Sequence, residues 1–134
     1  MAVTTDIPAF PLALASVGVQ SNSAALSSTT ASAGQLSGAG IVVMFNTGAT
    51  PGTYTTRTAA QMIADSNLQV GQTYLLLLGN NQATGTLTLA GGTGVTVSGT
   101  ATVAANVGRL FTVTVNTSTT MTFTGAAISW TIAA

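Results

Sequence analysis

The stretch TYLLLLG, residues 73–79, places four consecutive leucines between a polar start and the turn-forming sequence Gly-Asn-Asn. A short, continuous apolar run bounded by turn residues is typical of a strand that is buried on both faces. A buried helix is the competing interpretation, but glycines at positions 71 and 79 limit the run to the length of a strand. We therefore predict a central strand here, beside which the other strands assemble.

Strand patterns continue on both sides of this run. Residues 41–45, IVVMF, predict a second buried strand. After Gly79, large apolar residues alternate with Thr or Ser, which is the period of a strand with one buried face. The alternating sets are Leu87 and Leu89; Val95 and Val97; Phe111, Val113 and Val115; Met121 and Phe123; and Ile128, Trp130 and Ile132. This pattern predicts a mainly β domain over residues 37–134, either an antiparallel β-sandwich or a barrel-like, jelly-roll-like fold.

The pairing register can be predicted for two hairpins. A three-residue loop at 91–93 would pair Leu89 with Val95 on one face, whereas a two-residue turn would put the apolar faces out of step. The same test on the following hairpin favours a five-residue loop at 116–120, with Val115 beside Met121. We predict both of these pairings.

One short helix is predicted between the two buried strands. Thr58 and Gln61 have the spacing of a capping box, in which each residue's side chain bonds to the other's backbone amide. Met62 and Ile63 supply a short apolar stripe, and Asn67 can end the helix in a left-handed conformation.

Asp65 would lie near the negative end of the dipole of this helix, so we expect it to have a positive partner. Arg57 and Arg109 are the only cationic side chains in the chain. We predict an ion pair between Asp65 and Arg109, within a subunit or across an oligomer interface. A solvated Asp65 and a solvated Arg109 are the alternative.

Residues 1–36 differ from the rest of the chain. Two prolines prevent a regular helix near the start, and the Ser/Ala/Thr/Gly tract that follows has little bulk for a core of its own. We predict an extended N-terminal arm that docks on a neighbouring subunit or partner, with a disordered tail as the alternative. The predicted contact residues are Ile7, Pro8, Phe10, Pro11, Leu12 and Leu14.

The composition excludes several classes of function. Only 3% of the residues are charged, against about a quarter in ordinary domains, and such a surface favours association. Without His or Cys, and with Asp6 and Asp65 as the only carboxylate side chains, the chain lacks the usual catalytic and metal-binding groups, so we predict no enzyme, metal or cofactor. The absence of a basic stripe argues against nucleic acid, and no apolar run approaches the roughly 20 residues of a membrane span.

Several motifs follow one another in an informative order between residues 53 and 115. They are TAAQMI at 58–63, GQTYL at 71–75, TLTLAGGTGVTVSGT at 86–100 and RLFTVTV at 109–115. This arrangement resembles the β-rich domain of tailed-bacteriophage virion proteins, particularly head decoration (cement) proteins and head-fibre proteins. The resemblance implies a homotrimer on the capsid exterior of a virion, where it would bind the major capsid protein and reinforce the shell.

Two other functions remain open. A fibre or adhesin-type β domain would bind a host-surface carbohydrate through loops such as NNQ at 80–82. Trp130, on the alternating last strand, is predicted to be a core residue rather than a stacking platform, and Tyr54, beside a Pro-Gly turn, is the expected exposed ring. The repeated Thr-x-Thr motifs would suit an ice-binding hydroxyl array, although they do not recur at a fixed period.

Overall fold

The computed structural model describes residues 19–47 and 50–132, which form ten strands and one helix. The strands are β1 (Val19–Ala24), β2 (Thr29–Thr30), β3 (Ile41–Asn46), β4 (Thr53–Thr55), β5 (Thr73–Asn80), β6 (Leu87–Ala90), β7 (Val95–Gly99), β8 (Thr102–Val103), β9 (Val107–Thr117) and β10 (Thr120–Thr131). The helix, α1 (Ala59–Ser66), lies between β4 and β5. The prediction of a mainly β domain with one short helix is confirmed.

The strands form two sheets, and the chain alternates between them. The large sheet has six strands in the order β1-β3-β5-β9-β10-β7, and the small sheet has four in the order β2-β4-β6-β8. From β1 to β9, every successive strand lies in the other sheet. Residues from both sheets contribute to the same buried core, so the architecture is sandwich-like.

Both sheets are mixed, whereas the sequence pattern predicted antiparallel pairing. The neighbours β1, β3 and β5 are parallel, and so are β2, β4 and β6 and the pair of β7 with β10. Antiparallel pairing joins β5 to β9, β9 to β10 and β6 to β8. The parallel pairs β1–β3, β3–β5, β2–β4 and β4–β6 each join strands that are separated by a passage through the other sheet, as parallel pairing requires a crossover rather than a hairpin. The alternation of apolar residues with Thr reports which face is buried but not the direction of the neighbouring strand.

Strand β5 lies between β3 and β9, as predicted for a central strand. On its inner face, which is the side towards the small sheet, Leu76 and Leu78 are fully buried. On the opposite face, Leu75 and Leu77 are only partly buried. The expectation of burial on both faces is therefore correct for the inner face and wrong for the outer face.

The two predicted hairpin registers have different outcomes. Val115 pairs with Met121 as predicted, but the loop is shorter than the predicted 116–120, because β9 continues to Thr117, which pairs with Thr120 at the start of β10. The pairing of Leu89 with Val95 is wrong, because β6 lies in the small sheet beside β4 while β7 lies in the large sheet beside β10. Gly91 belongs to the crossing between the sheets, and a Cβ atom on it would lie 2.3 Å from the carbonyl oxygen of Val95.

Helix α1 begins and ends as predicted. The Gln61 amide donates to Thr58 Oγ1 at 3.1 Å, and the Thr58 amide donates to Gln61 Oε1 at 3.2 Å. Asn67 ends the helix with a φ of 51°. Because Ala59 and Met62 are buried in the core, the helix packs on the inner side of the large sheet.

The domain begins earlier than predicted, so residues 19–36 are not part of an arm. Strand β1 pairs with β3, and β2 pairs with β4. Leu26, which lies between β1 and β2, and Leu36, which follows β2, belong to the core. The polar strand β1 needs no core of its own because its backbone completes the edge of a sheet, and the Asn22 side chain donates to the Gln35 carbonyl at 3.4 Å.

Two buried asparagines hold the loops at one end of the large sheet. Asn46 and Asn80 are register partners on β3 and β5, and both are fully buried. Asn46 Oδ1 accepts from the Leu26 amide at 2.7 Å, while Asn80 Nδ2 donates to the carbonyls of Gly85 and Val103 at 3.1 and 3.2 Å. Asn80 is therefore a structural residue and not an exposed member of a ligand-binding loop.

Candidate functional site

The outer face of the large sheet, which points away from the small sheet, carries a group of apolar side chains that the described chain leaves partly exposed. Strand alternation and the register of β1, β3, β5 and β9 place them on one surface. We call this group the apolar patch; it consists of Val19, Ile41, Val43, Leu75, Leu77 and Leu110. Contiguous apolar surface of this kind is typical of a contact site.

A row of four cross-strand neighbours lies beside the apolar patch. Phe45, Gly79, Gly108 and Trp130 are successive partners across β3, β5, β9 and β10. A Cβ atom on Gly79 would lie 2.3 Å from two ring carbons of Phe45, and one on Gly108 would lie 2.5 Å from two ring carbons of Trp130. The two aromatic rings therefore cover the two glycines. We call these four residues the aromatic row.

A cleft opens at the Phe45 end of the aromatic row. Its volume is about 380 Å³, and it is lined by Ser21, Asn22, Ser23, Phe45, Thr47, Asn81 and Ile132. Ile132 lies between the cleft and the middle of the row, because its Cδ1 atom is 3.1 Å from the position of a Cβ atom on Gly79. The lining combines two apolar side chains with hydroxyl and amide groups, and it contains no charged residue.

Arg109 does not contact Asp65. It is buried near the start of β9, where Nε donates to the Thr102 carbonyl at 2.7 Å and Nη1 donates to the carbonyls of Ala126 and Ala127 at 2.6 and 3.1 Å. The predicted pair of Asp65 with Arg109 is wrong within the chain, because Arg109 faces the irregular segment of β10. Its role there is to hold the carbonyls of that segment.

Asp65 pairs with Arg57 instead. Arg57 Nε lies 2.8 Å from Asp65 Oδ2, and Nη2 donates to Oδ1 at 3.4 Å. The Nε hydrogen is not well aligned with the carboxylate, so the contact is mainly electrostatic. The expectation of a positive partner for Asp65 is confirmed, and the arginine closer in sequence supplies it. Both charges lie beside the helix and not on the outer face.

Trp130 and Tyr54 have the opposite exposure from the one predicted. Trp130 is 41% exposed, whereas Tyr54 is buried and its hydroxyl donates to Gln35 Oε1 at 2.8 Å. Burial raises the pKa of the Tyr54 phenol above its usual value, and it does the same for Tyr74, whose hydroxyl donates to the Leu36 carbonyl at 2.5 Å. The tyrosines are therefore core residues, and the tryptophan belongs to the surface.

A signal for the exposed tryptophan is present in the sequence. Met121 and Phe123 have odd numbers and face the core, whereas Trp130, later in the same strand, has an even number. In a strand with period two, that change of parity places Trp130 on the other face. The two glycines under the rings carry no comparable signal, because their partners are distant in sequence and depend on the sheet order.

The predicted arm contacts, Ile7, Pro8, Phe10, Pro11, Leu12 and Leu14, lie outside the described residues. Within the described ranges, no group of three His, Cys, Asp or Glu residues is placed to hold a metal ion. The helix found in those ranges is neither long enough nor apolar enough to cross a membrane. No protein-family model, curated protein or solved structure matches the chain.

Proposed function

We propose that this chain is a structural virion protein that decorates the exterior of a bacteriophage shell and stabilises it by binding the major capsid protein. The motif order at residues 53–115 supports a virion protein, and the nearly charge-free composition suits a chain that is held in an assembly. The observation that carries the proposal is the apolar patch on the outer face of the large sheet.

In this proposal, the apolar patch joins copies of the chain to one another. Its six side chains extend over four neighbouring strands, and none of them is charged. Copies can therefore meet without like-charge repulsion, which costs several kcal/mol where it occurs. Burial of apolar surface contributes about 25 cal/mol per Å², so completing the burial of this patch favours association. The motif resemblance supports three as the number of copies.

The N-terminal segment attaches the oligomer to the shell in the same proposal. Residues 1–14 contain Ile7, Phe10, Leu12 and Leu14 together with two prolines that restrict the unbound backbone. A restricted segment loses less conformational entropy on docking than a free tail does. Several copies in one oligomer add avidity to this contact.

The copy-to-copy contact is tested by light scattering on the purified full chain. We expect a homotrimer for the natural sequence and a smaller species for Leu77→Ser, which removes an apolar side chain from the patch. Thr112→Ser is the matched control, because Thr112 is an exposed residue of β9 on the same face and pairs with Leu75. A stable monomer of the natural chain at high concentration would contradict this contact.

The attachment to the shell is tested by adding the purified chain to shells prepared without it. We expect the full chain to co-sediment with the shells and a chain lacking residues 1–14 to bind far more weakly. The melting temperature of the truncated chain should stay nearly unchanged, because the described core begins after residue 18. Undiminished binding of the truncated chain would place the anchor on the β domain.

A further inference from the structure

The cleft beside the aromatic row has the chemistry of a site for a neutral polar ligand. Its hydroxyl and amide groups come from Ser21, Ser23, Thr47 and Asn81, and its apolar side chains come from Phe45 and Ile132, with Asn22 completing the lining. A volume of about 380 Å³ lies within the roughly 300–1,000 Å³ range of small-molecule sites. Such sites combine apolar walls with a few polar groups that orient the ligand.

Trp130 extends this site along the outer face. Its indole is held over Gly108, where a Cβ atom would lie 2.5 Å from Cε2 and Cζ2, so the glycine allows the ring to lie against the sheet. The ring is 41% exposed, and Ile132, which follows the end of β10 two residues after Trp130, lines the cleft. An indole that lies on the sheet with an exposed face is a platform for stacking by another flat, partly apolar surface.

The absence of charge at the site selects the class of ligand. The ion pair of Arg57 with Asp65 lies beside α1, and the Arg109 guanidinium is bound to backbone carbonyls on the inner side of the sheet. No described charge is therefore available at the cleft to bind a phosphate, a carboxylate or an amine. A ligand that fits must offer hydroxyl or amide groups along one edge and apolar C–H groups on a face.

A sugar ring has both of these surfaces. We propose that the cleft and Trp130 together bind a neutral oligosaccharide, with one sugar ring in the cleft against Phe45 and Ile132 and the next stacked on Trp130. A purely apolar protein surface placed here would leave the hydroxyl groups of Ser21 and Ser23 and the Asn81 amide without partners, which is costly once water is excluded. This activity goes beyond attachment to a shell and does not depend on it.

The proposal can be tested through the fluorescence of Trp130, which is the single tryptophan of the chain. The full chain is titrated with four uncharged hexasaccharides, built from glucose, mannose, galactose or N-acetylglucosamine. We expect at least one of them to shift the Trp130 emission in a saturable manner. No shift with any of the four at about 10 mM, which is ten times the dissociation constant of a weak site, would overturn the proposal.

Variants assign the response to the site, with calorimetry as the readout where the tryptophan is removed. Trp130→Ala should weaken binding of the active hexasaccharide about tenfold or more, and Ser23→Ala should weaken it by a smaller factor. Ile128→Ser is the matched control, because Ile128 is 83% exposed on the same strand but does not line the cleft. We expect unchanged binding for this control, and circular dichroism confirms that each variant is folded.

Two results would refute this assignment. Equal weakening by Trp130→Ala and Ile128→Ser would indicate general adhesion to the apolar surface rather than a built site. If acrylamide does not quench the fluorescence of Trp130 in the free oligomer, and no sugar changes that fluorescence, a second copy of the chain covers the indole. The second result would leave the proposed copy-to-copy contact intact, so failure of the sugar site is distinguishable from failure of the proposed function.

Discussion

The indole of Trp130 lies over Gly108, its direct partner across the β9–β10 ladder. Gly108 itself is paired with Gly79, which lies under the ring of Phe45. Because the glycines have no side chains, two aromatic rings can fold onto the sheet from opposite sides of the pair. Gly108 thus allows the close approach of the ring, since a Cβ atom at that position would clash with the indole.

This contact gives the first prediction. Gly108→Ala should displace the Trp130 ring and destabilise the fold by about 1–3 kcal/mol, the usual cost of overpacking. Urea unfolding measures the free-energy change, and the emission of Trp130 should shift to longer wavelength in the folded variant. Thr112→Ala, at an exposed position on the same face of β9, should change neither quantity appreciably. A Gly108→Ala protein with natural stability and emission would show that the ring does not rest on the glycine.

The two faces of β5 should respond differently to truncation. Leu76→Ala removes a fully buried side chain from the core and should cost about 2–5 kcal/mol in the free energy of unfolding. Leu77→Ala, on the partly exposed face, should cost about 1 kcal/mol or less in the monomer and instead weaken association. Chemical denaturation at low protein concentration separates the two effects, and equal losses at both positions would mean that the outer face is also core.

The two arginines should also differ in their contribution to stability. Arg109→Met leaves the carbonyls of Thr102, Ala126 and Ala127 without their donor and should cost about 1–3 kcal/mol. Arg57→Met, the control, removes a partly exposed ion pair and should cost about 0.2–1 kcal/mol. A double-mutant cycle between Arg109 and Asp65 should give a coupling energy near zero. A coupling energy well above about 1 kcal/mol would indicate that Arg109 and Asp65 do form an ion pair, and would contradict the contacts described above.

Above about pH 5, the stability of the domain should depend on pH only at the alkaline end of the range. The chain has no Lys, His or Cys, so no side chain has an ordinary pKa between about 5 and 9. Burial raises the pKa of Tyr54 and Tyr74, so their contribution is fully present below the unfolded pKa of about 10 and is lost as the pH rises above it. Melting temperatures should be flat from about pH 5 to pH 9 and then fall. Tyr74→Phe should reduce that fall, and a steep change near neutral pH would contradict this account.

The contrast between prediction and structure has a physical explanation. Local signals, namely the capping box at Thr58 and Gln61 and the period-two strands, predicted the helix and the inner, core-facing side of the strands, but not the exposure of the outer face of β5 or of Trp130. The direction of the strands depends on where each loop leads, and two consecutive strands such as β6 and β7 look the same in sequence whether they form a hairpin or cross between sheets. The register of Val115 with Met121 was predictable because that hairpin stays within one sheet.

The candidate site was even harder to predict from the sequence, because its contacts depend on the order of the strands in the sheet. Trp130 could have been placed on the outer face from its position parity, but its contact with Gly108 depends on which strands are neighbours. The apolar patch could not be predicted for a related reason. A continuous apolar run such as residues 75–78 indicates a strand with two apolar faces, but it does not show whether another element covers both of them. The partners of Arg109 and Asp65 could not be identified from the sequence, because they depend on which strands and loops lie beside these residues in the fold.

The central claim is that the chain is a stoichiometric component of a bacteriophage particle. Quantitative mass spectrometry of purified particles tests it most directly, by measuring the molar ratio of this chain to the major capsid protein. We expect a fixed ratio that is reproduced between preparations and lost when shells are stripped of their decoration. Absence of the chain from purified particles, or a ratio that varies freely between preparations, would contradict the claim.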